Sequence, residues 1–337
     1  MKIVKPIYFD SFRCIASSCP DSCCKEWDVQ IDEASAALYR ALPGALGDCL
    51  RSHLVVADGE TFMSIVDGRC PMWRGDGLCR IQAELGEDSL CKTCRDFPRL
   101  THDYGSFTEY ALELSCPEAA RIILGTPDPM PVTLEVPGGD APEYDPADME
   151  ILLRSREAVR KLLAESRRSV AQTLALLLKI ASEAQAELNG EEILPVDDDA
   201  FLRQIGETRC LPGDFQAILN FYKSLEILTP QWAARLDSPA PAPWERRHLT
   251  LARYFVDRYW LQAISDFDLL GRAAFVLVSC MVIRHLGGDL VQTAQLYSKE
   301  IENDADNVAA ILDAAYENPA FESSRLLCLL ARETAKI

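Results

Sequence analysis

Nine cysteines fall into a pattern that ordinary packing does not produce: Cys14, Cys19, Cys23 and Cys24, then Cys70, Cys79, Cys91 and Cys94, then Cys116. Cys49 stands apart from the motifs, and Cys210, Cys280 and Cys328 are scattered through the much longer remainder. Thiolates at such density bind metal more readily than they serve as small buried hydrophobes. In Cys91-Lys-Thr-Cys94 two intervening residues let the backbone turn, so that both sulfurs can face one ion. Adjacent side chains usually diverge, so Cys23 and Cys24 point to different sites. The set then allows two four-cysteine sites with one thiol to spare, or a single site with structural thiols around it. Asp21, Glu26 and Asp28 could complete a site, although carboxylates beside thiolates are more often solvated or capping groups.

Zinc and iron-sulfur clusters both accept four thiolates. The common zinc arrangement of two separated Cys-x2-Cys knuckles is absent, and no histidine lies within the motifs. Cys19, Cys70 and Cys116 are each followed by proline, the dipeptide that closes the bacterial ferredoxin run. These features favour a [4Fe-4S] cluster, with zinc as the alternative. Cys-Pro pairs also serve as plain turn chemistry. A radical S-adenosylmethionine centre needs a third cysteine spaced beyond the second, whereas Cys23 is followed at once by Cys24. The sulfurs therefore read as a structural or redox-sensing scaffold.

The elements that must hold these thiols are set by composition. The chain of 337 residues is 48% hydrophobic, enough for a substantial core without cross-links. Its 34 basic and 52 acidic residues give a formal charge of -18, which opposes nonspecific binding to nucleic acid or anionic membranes. MKIVKPIYFDSFRC lacks the apolar core of a secretory signal, and AAFVLVSCMVI is too short to span a bilayer, so the expected location is cytoplasmic. A disulfide framework is not expected in that compartment.

The expected fold is mainly α: an N-terminal cysteine-rich metal-binding domain with few strands, over 1–125, followed by an α-helical domain over 148–337. Residues 126–147, rich in proline and glycine, form a linker or crossing segment. Asp148 is expected to cap a helix through Ser166, paired with a second helix ending at Asn189-Gly190. Further helices are expected over 198–208, 213–228, 244–264, 269–285 and 289–302, with two more in the tail. VTLEV at 132–136 is the best strand, and SFTEYALEL at 106–114 fits strand or helix. Leu249, Ala252, Phe255, Val256 and Tyr259 follow the steps of an inward helix face.

FRCIASSCPDSCCKEWDVQID, CPMWRGDGLCRIQAELGEDSLCKTCRDFPRL and LELSCPEAAR together resemble the bacterial flagellin lysine-N-methylase family, part of a wider cysteine-cluster group described as zinc- or iron-chelating. LARYFVDRYWLQAISDFDLLGRAAFVLVSCMVIRHL resembles the family's later segment. The family's cysteine positions fall on the nine listed first. The resemblance implies methyl transfer from S-adenosylmethionine to flagellin lysines. Arg95 and Arg99 flank the motifs and either shape loops or screen cluster charge. Tyr254, Asp257, Tyr259, Trp260, Asp266 and Asp268 carry the aromatic and acidic chemistry such a pocket needs, but at helical spacing they read more simply as core and helix-boundary groups. No strand, glycine-rich loop and helix arrangement marks a nucleotide site. The residues by themselves assign no catalytic or donor-binding group, and a metal-binding accessory or redox-sensing protein is the reading from a different class.

Overall fold

Extended segments occupy the front of the chain. The computed structural model describes all residues except Asp28, Asp58, Asp140, Ile193, Pro195, 208–212 and 335–337. Among the described residues there are seven strands: β1 (Lys2–Pro6), β2 (Val29–Ile31), β3 (Leu54–Ala57), β4 (Glu60–Met63), β5 (Arg99–Asp103), β6 (Phe107–Leu112) and β7 (Pro131–Glu135). One sheet has the order β5-β6-β1-β7, with β1 parallel to β6 and antiparallel to β7. The other is antiparallel, in the order β2-β4-β3. The proline-rich segment thus supplies an edge strand, β7, where proline is tolerated because one side of the ladder is unpaired. The ambiguous 106–114 segment is strand. β1 and β5 were not expected, because KIVKP and RLTHD lack a clean apolar alternation.

Short helices punctuate the front: α1 (Glu33–Ala41), α2 (Gly44–His53), α3 (Arg80–Leu85), α4 (Lys92–Asp96) and α5 (Pro117–Leu124). Beyond β7 the chain is helical. α6 (Pro146–Glu165) begins one turn earlier than expected, because Asp145 rather than Asp148 caps it, accepting from Ala147 N at 2.8 Å, and Pro146 suits the first helical position. α7 (Val170–Leu188) opens on a capping box between Ser169 and Gln172 and packs against α6 as the expected hairpin.

The remaining helices are α8 (Asp198–Glu207), α9 (Asp214–Tyr222), α10 (Pro230–Asp237), α11 (Arg247–Tyr259), α12 (Leu269–Leu286), α13 (Leu290–Tyr297), α14 (Ala305–Glu317) and α15 (Ser323–Thr334). The helix expected over 213–228 stops at Tyr222, and α10 was missed although Thr229-Pro230 is a cap followed by an N1 proline. The expected end at Thr208 lies outside the described residues. A π-helical turn, Ser298–Glu302, follows α13.

Apolar residues form two cores. The smaller gathers Val29, Ile31, Tyr39, Leu50, Met63, Met72, Ile81 and Cys91. The larger joins Phe12, Leu112, Leu114 and α5 to the helices. Leu249, Ala252, Phe255, Val256 and Tyr259 are all buried, as their spacing predicts. α12 is long and apolar enough to cross a membrane by length and composition, yet 83% of it is buried inside this fold, against α7, α11 and α14. Apolar residues all round a helix suit such a central position.

Candidate functional site

The cysteine segments are held by backbone pairing rather than by long regular elements. Cys14, Cys19, Cys23 and Cys24 flank a 3₁₀ turn at Ala16–Ser18, and Cys70 N donates to Cys24 O at 2.8 Å. Glu26 N donates to Gly68 O at 3.1 Å, so the two loops run side by side. Gly77, at φ +82°, lies where an added Cβ would come within 3.4 Å of Ser17 Cα, which fits the 70–79 loop closely against the turn.

Cys79, Cys91 and Cys116 occupy the positions just before α3, α4 and α5, where the free N–H groups of a helix start favour negative charge. Asp32 fixes one of these starts: it accepts from Ser35 N at 3.0 Å, capping α1, and from Lys92 N at 2.8 Å in α4. The Lys92 and Ser35 hydrogen bonds hold its carboxyl down to about 2. Thr93 Oγ1 also donates to Gln30 O at 2.9 Å, joining α4 to β2.

The thiols form two overlapping neighbourhoods. Cys23 hydrogen-bonds to Cys24 and feels the charge of Cys14 and Cys116, while Cys116 in turn feels Cys19 and Cys14. Cys70 feels Cys24, Cys79 and Cys91, and Cys94 hydrogen-bonds to Cys91. Cys23 and Cys24 lie within hydrogen-bonding reach of each other, and Cys94 is close enough to sense both. Burial pushes the Cys70 thiol up to about 12 and Cys116 up to about 11. The hydrogen bond from Cys23 lowers Cys24, and that from Cys94 lowers Cys91.

This donor set, all sulfur, suits a soft metal or cluster. Among the described residues no three histidine, cysteine or carboxylate side chains converge on a single ion position. Cys49 stays outside both groups, its Sγ 3.9 Å from His53 Nδ1. Cys280 is core, and Cys328 is disulfide-bonded, so the expectation of reduced thiols does not extend to the tail. Asp28 and Cys210 lie outside the described residues.

Asp21 and Glu26 have a different role from the one considered for them. Both reach across to the helical body, where Lys299 Nζ donates to Asp21 at 3.0 Å and to Glu26 at 2.7 Å. Gln295 Nε2 adds bonds to Asp21 at 3.0 Å and to Ser115 O at 2.8 Å, tying in the segment that carries Cys116. Burial works against the Lys299 charge, but the Glu26 and Asp21 carboxylates outweigh it and its pKa is raised. Replacing Lys299 by methionine is expected to cost about 1–3 kcal/mol, read from urea denaturation, because two partly exposed carboxylates lose a charged partner. An unchanged midpoint would mean that the contact carries no stability.

The aromatic and acidic residues of the tail are engaged in contacts within the fold. Trp260 is buried and donates to Ser155 Oγ at 3.0 Å. Asp257 accepts from Arg160 at 2.7 Å and from Arg253 at 2.8 Å; burial alone would raise its carboxyl, but these guanidiniums hold it low. Asp266 pairs with Arg272, and Asp268 caps α12 through Gly271 N. Tyr254 and Tyr259 both donate to Glu302, a residue the sequence reasoning missed. Its signal was SKEIE, three charges set between apolar helices.

Two lysine-N-methylases, from Salmonella choleraesuis and Salmonella typhimurium, are each 33% identical to the chain over 135 residues, 38% of the chain and 34% of each relative. The flagellar biosynthetic protein FliU of Salmonella muenchen is 33% identical over 135 residues, and the match covers 80% of its length. The chain belongs to the FliU family. It spans about a third of the length of the two lysine-N-methylases. No family model and no solved structure matches it. In this chain a cysteine-bearing front is docked onto the helices through Lys299 and Gln295.

Proposed function

We propose that this FliU-family chain is a protein lysine N-methylase that takes its methyl group from S-adenosylmethionine, acts on flagellin, and is built around cysteine-held [4Fe-4S] or zinc centres. The observation that carries the reading is the 33% identity to two proteins named lysine-N-methylase and to FliU. Cys14, Cys19, Cys23 and Cys116 would hold one centre, and Cys24, Cys70, Cys79 and Cys91 the other, with Cys94 as the ninth thiol able to exchange with either. Such a centre supplies a cross-link between loops distant in sequence.

Transfer forms a bond from lysine Nζ to the methyl carbon and breaks the bond from that carbon to the sulfonium, whose sulfur keeps the electron pair. The amine must be neutral first, and free lysine has a pKa of about 10.4, so the protein has to accept or exclude that proton. Alignment of the two reactants supplies much of the remaining acceleration.

A second reading, a metal-binding accessory or redox-sensing protein without transferase activity, is favoured by the two glycine pairs. Gly138-Gly139 joins the edge strand β7 to α6 through a long proline-containing stretch, 136–145, and Gly287-Gly288 joins α12 to α13, so neither sits in the tight strand-to-helix turn of a nucleotide loop. Incubating anaerobically purified protein with labelled S-adenosylmethionine and flagellin separates the two. Label on flagellin lysines is the expected result. Metal-loaded protein that transfers no label would overturn the methylase reading in favour of the accessory one.

A further inference from the structure

An inner cavity of about 50 Å³ lies where β1 and β6 meet α6 and α11, with Tyr8, His102, Arg160, Arg253, Asp257 and Arg258 among its walls. Asp257 accepts from Nε of both Arg160 and Arg253, at 2.7 and 2.8 Å, so two guanidiniums share one carboxylate. Their Nη atoms have no hydrogen bond among the described residues. The further carboxylates they approach, Glu157 at 3.6 Å and Asp128 at 3.8 Å, are exposed. Arg258, although held by Glu302 and Glu113, adds positive charge at the same place. Glu109 offsets little of it, being taken by Arg156 at 2.6 and 2.7 Å.

The Tyr8 hydroxyl senses Asp257, Arg253 and Arg160, and it too has no hydrogen bond among the described residues. Burial above all raises its pKa, so it keeps its proton and can donate. His102 lies directly opposite Glu109, which puts both side chains on one face of the sheet, and its Nε2 is buried without a partner. It also borders a cleft of about 940 Å³ whose Asp103, Glu143, Asp145 and Asp148 would repel an anion. A groove of about 680 Å³ runs from the cavity past Lys2 and Phe107 to Leu153 and Arg156. Val4, Glu109, Pro131 and Arg160 line both spaces, so the two adjoin. Donors left over on largely buried guanidiniums are costly, and an acceptor that arrives from outside removes the cost.

We infer that the inner cavity seats the carboxylate of a small ligand on Arg160, Arg253 and Tyr8, with the body of that ligand in the adjoining groove. The identity of the ligand rests on the methylase reading, which makes it the methionyl carboxylate of S-adenosylmethionine. The cavity has room for a carboxylate group and not for the whole donor, whereas the groove can take the nucleoside. Guanidinium forks match the two oxygens of a carboxylate in shape as well as charge. A carboxylate held by side chains also needs no glycine-rich loop, the device that cradles a diphosphate.

The test is binding, and needs no methyl transfer. Full-length protein purified with its metal is titrated with S-adenosylhomocysteine, which has no methyl group to give, and with its carboxamide, which keeps the shape and loses the charge. The acid is expected to bind roughly tenfold tighter. Arg253→Lys keeps a charge beside Asp257 but loses the fork, and should remove most of that preference. Tyr8→Phe takes one hydroxyl from a partly exposed ring, so folding should survive, and should cut the preference about threefold. Asp148→Asn, in the acidic cleft, should leave it unchanged. Equal binding of acid and carboxamide, a native preference in both Arg253→Lys and Tyr8→Phe, or a preference lost in Asp148→Asn would overturn the inference. If neither adenosyl compound binds, acetate in place of chloride at constant ionic strength decides. A thermal midpoint raised in the native protein and not in Arg253→Lys then keeps the carboxylate site and counts against the methylase reading, while no rise overturns the inference. An intact preference for the acid without label on flagellin counts against the methylase reading alone.

Discussion

Glu302→Gln is expected to lower the unfolding free energy by about 3–5 kcal/mol, the usual cost of breaking a buried ion pair from one side. The Glu302 side chain is fully inaccessible to solvent. Its carboxylate accepts from Tyr259 Oη at 2.9 Å and Tyr254 Oη at 3.1 Å, and it faces Arg258 Nε at 3.3 Å. Glutamine removes the charge and turns an N–H group toward donors that need an acceptor. Arg258 then keeps Glu113, at 3.6 Å, as its remaining carboxylate, besides its bond to Tyr254 Oη at 2.8 Å. Tyr254 Oη also accepts from Leu114 N at 3.3 Å, which extends the network to the chain just before Cys116. Urea denaturation at neutral pH reads the effect. Glu157→Gln is the control, since its 3.6 Å contact with Arg160 is solvent-exposed and should matter by less than about 1 kcal/mol. A Glu302→Gln change as small as the control's would show that the buried charge is not what holds this end of α11.

Changing one member of the adjacent pair is expected to divide the metal content. If Cys23 belongs with Cys14, Cys19 and Cys116, and Cys24 with Cys70, Cys79 and Cys91, each single serine variant should lose roughly half the metal, because four-thiolate sites seldom survive loss of a ligand. The double variant should lose nearly all of it. Cys280→Ser, deep in α12, should leave the metal count unchanged, although it places a hydroxyl in a fully apolar setting. Metal analysis and an absorption spectrum on anaerobic protein give the count and the kind together, since iron with sulfide absorbs in the visible and zinc does not. Complete loss of metal from either single variant would reduce the two neighbourhoods to one site.

Local signals in the sequence carried far in this chain. Ser169 with Gln172, Asp289 before α13, and Asn189-Gly190 after α7 are visible as letters because a cap involves residues within one turn. The apolar run of α12 announced a core helix, and the tail aromatics read as packing groups turned out to be packing groups. Errors clustered where a local cue was weak or overridden: Asp145 in place of Asp148, an unexpected α10 behind Thr229-Pro230, and strands whose letters do not alternate.

By itself, then, the sequence determined the mainly helical class and the places of the long helices, because capping and helical periodicity are properties of neighbouring residues. Only the tertiary structure decided that the Cys24 and Cys70 loops run side by side, that β1 runs parallel to β6 more than a hundred residues later, that Asp21 and Glu26 meet Lys299, and that His102 borders a cleft lined with carboxylates. Those contacts join segments distant in the chain. Their pairing depends on how two cores and a sheet pack together, which no short window of residues encodes.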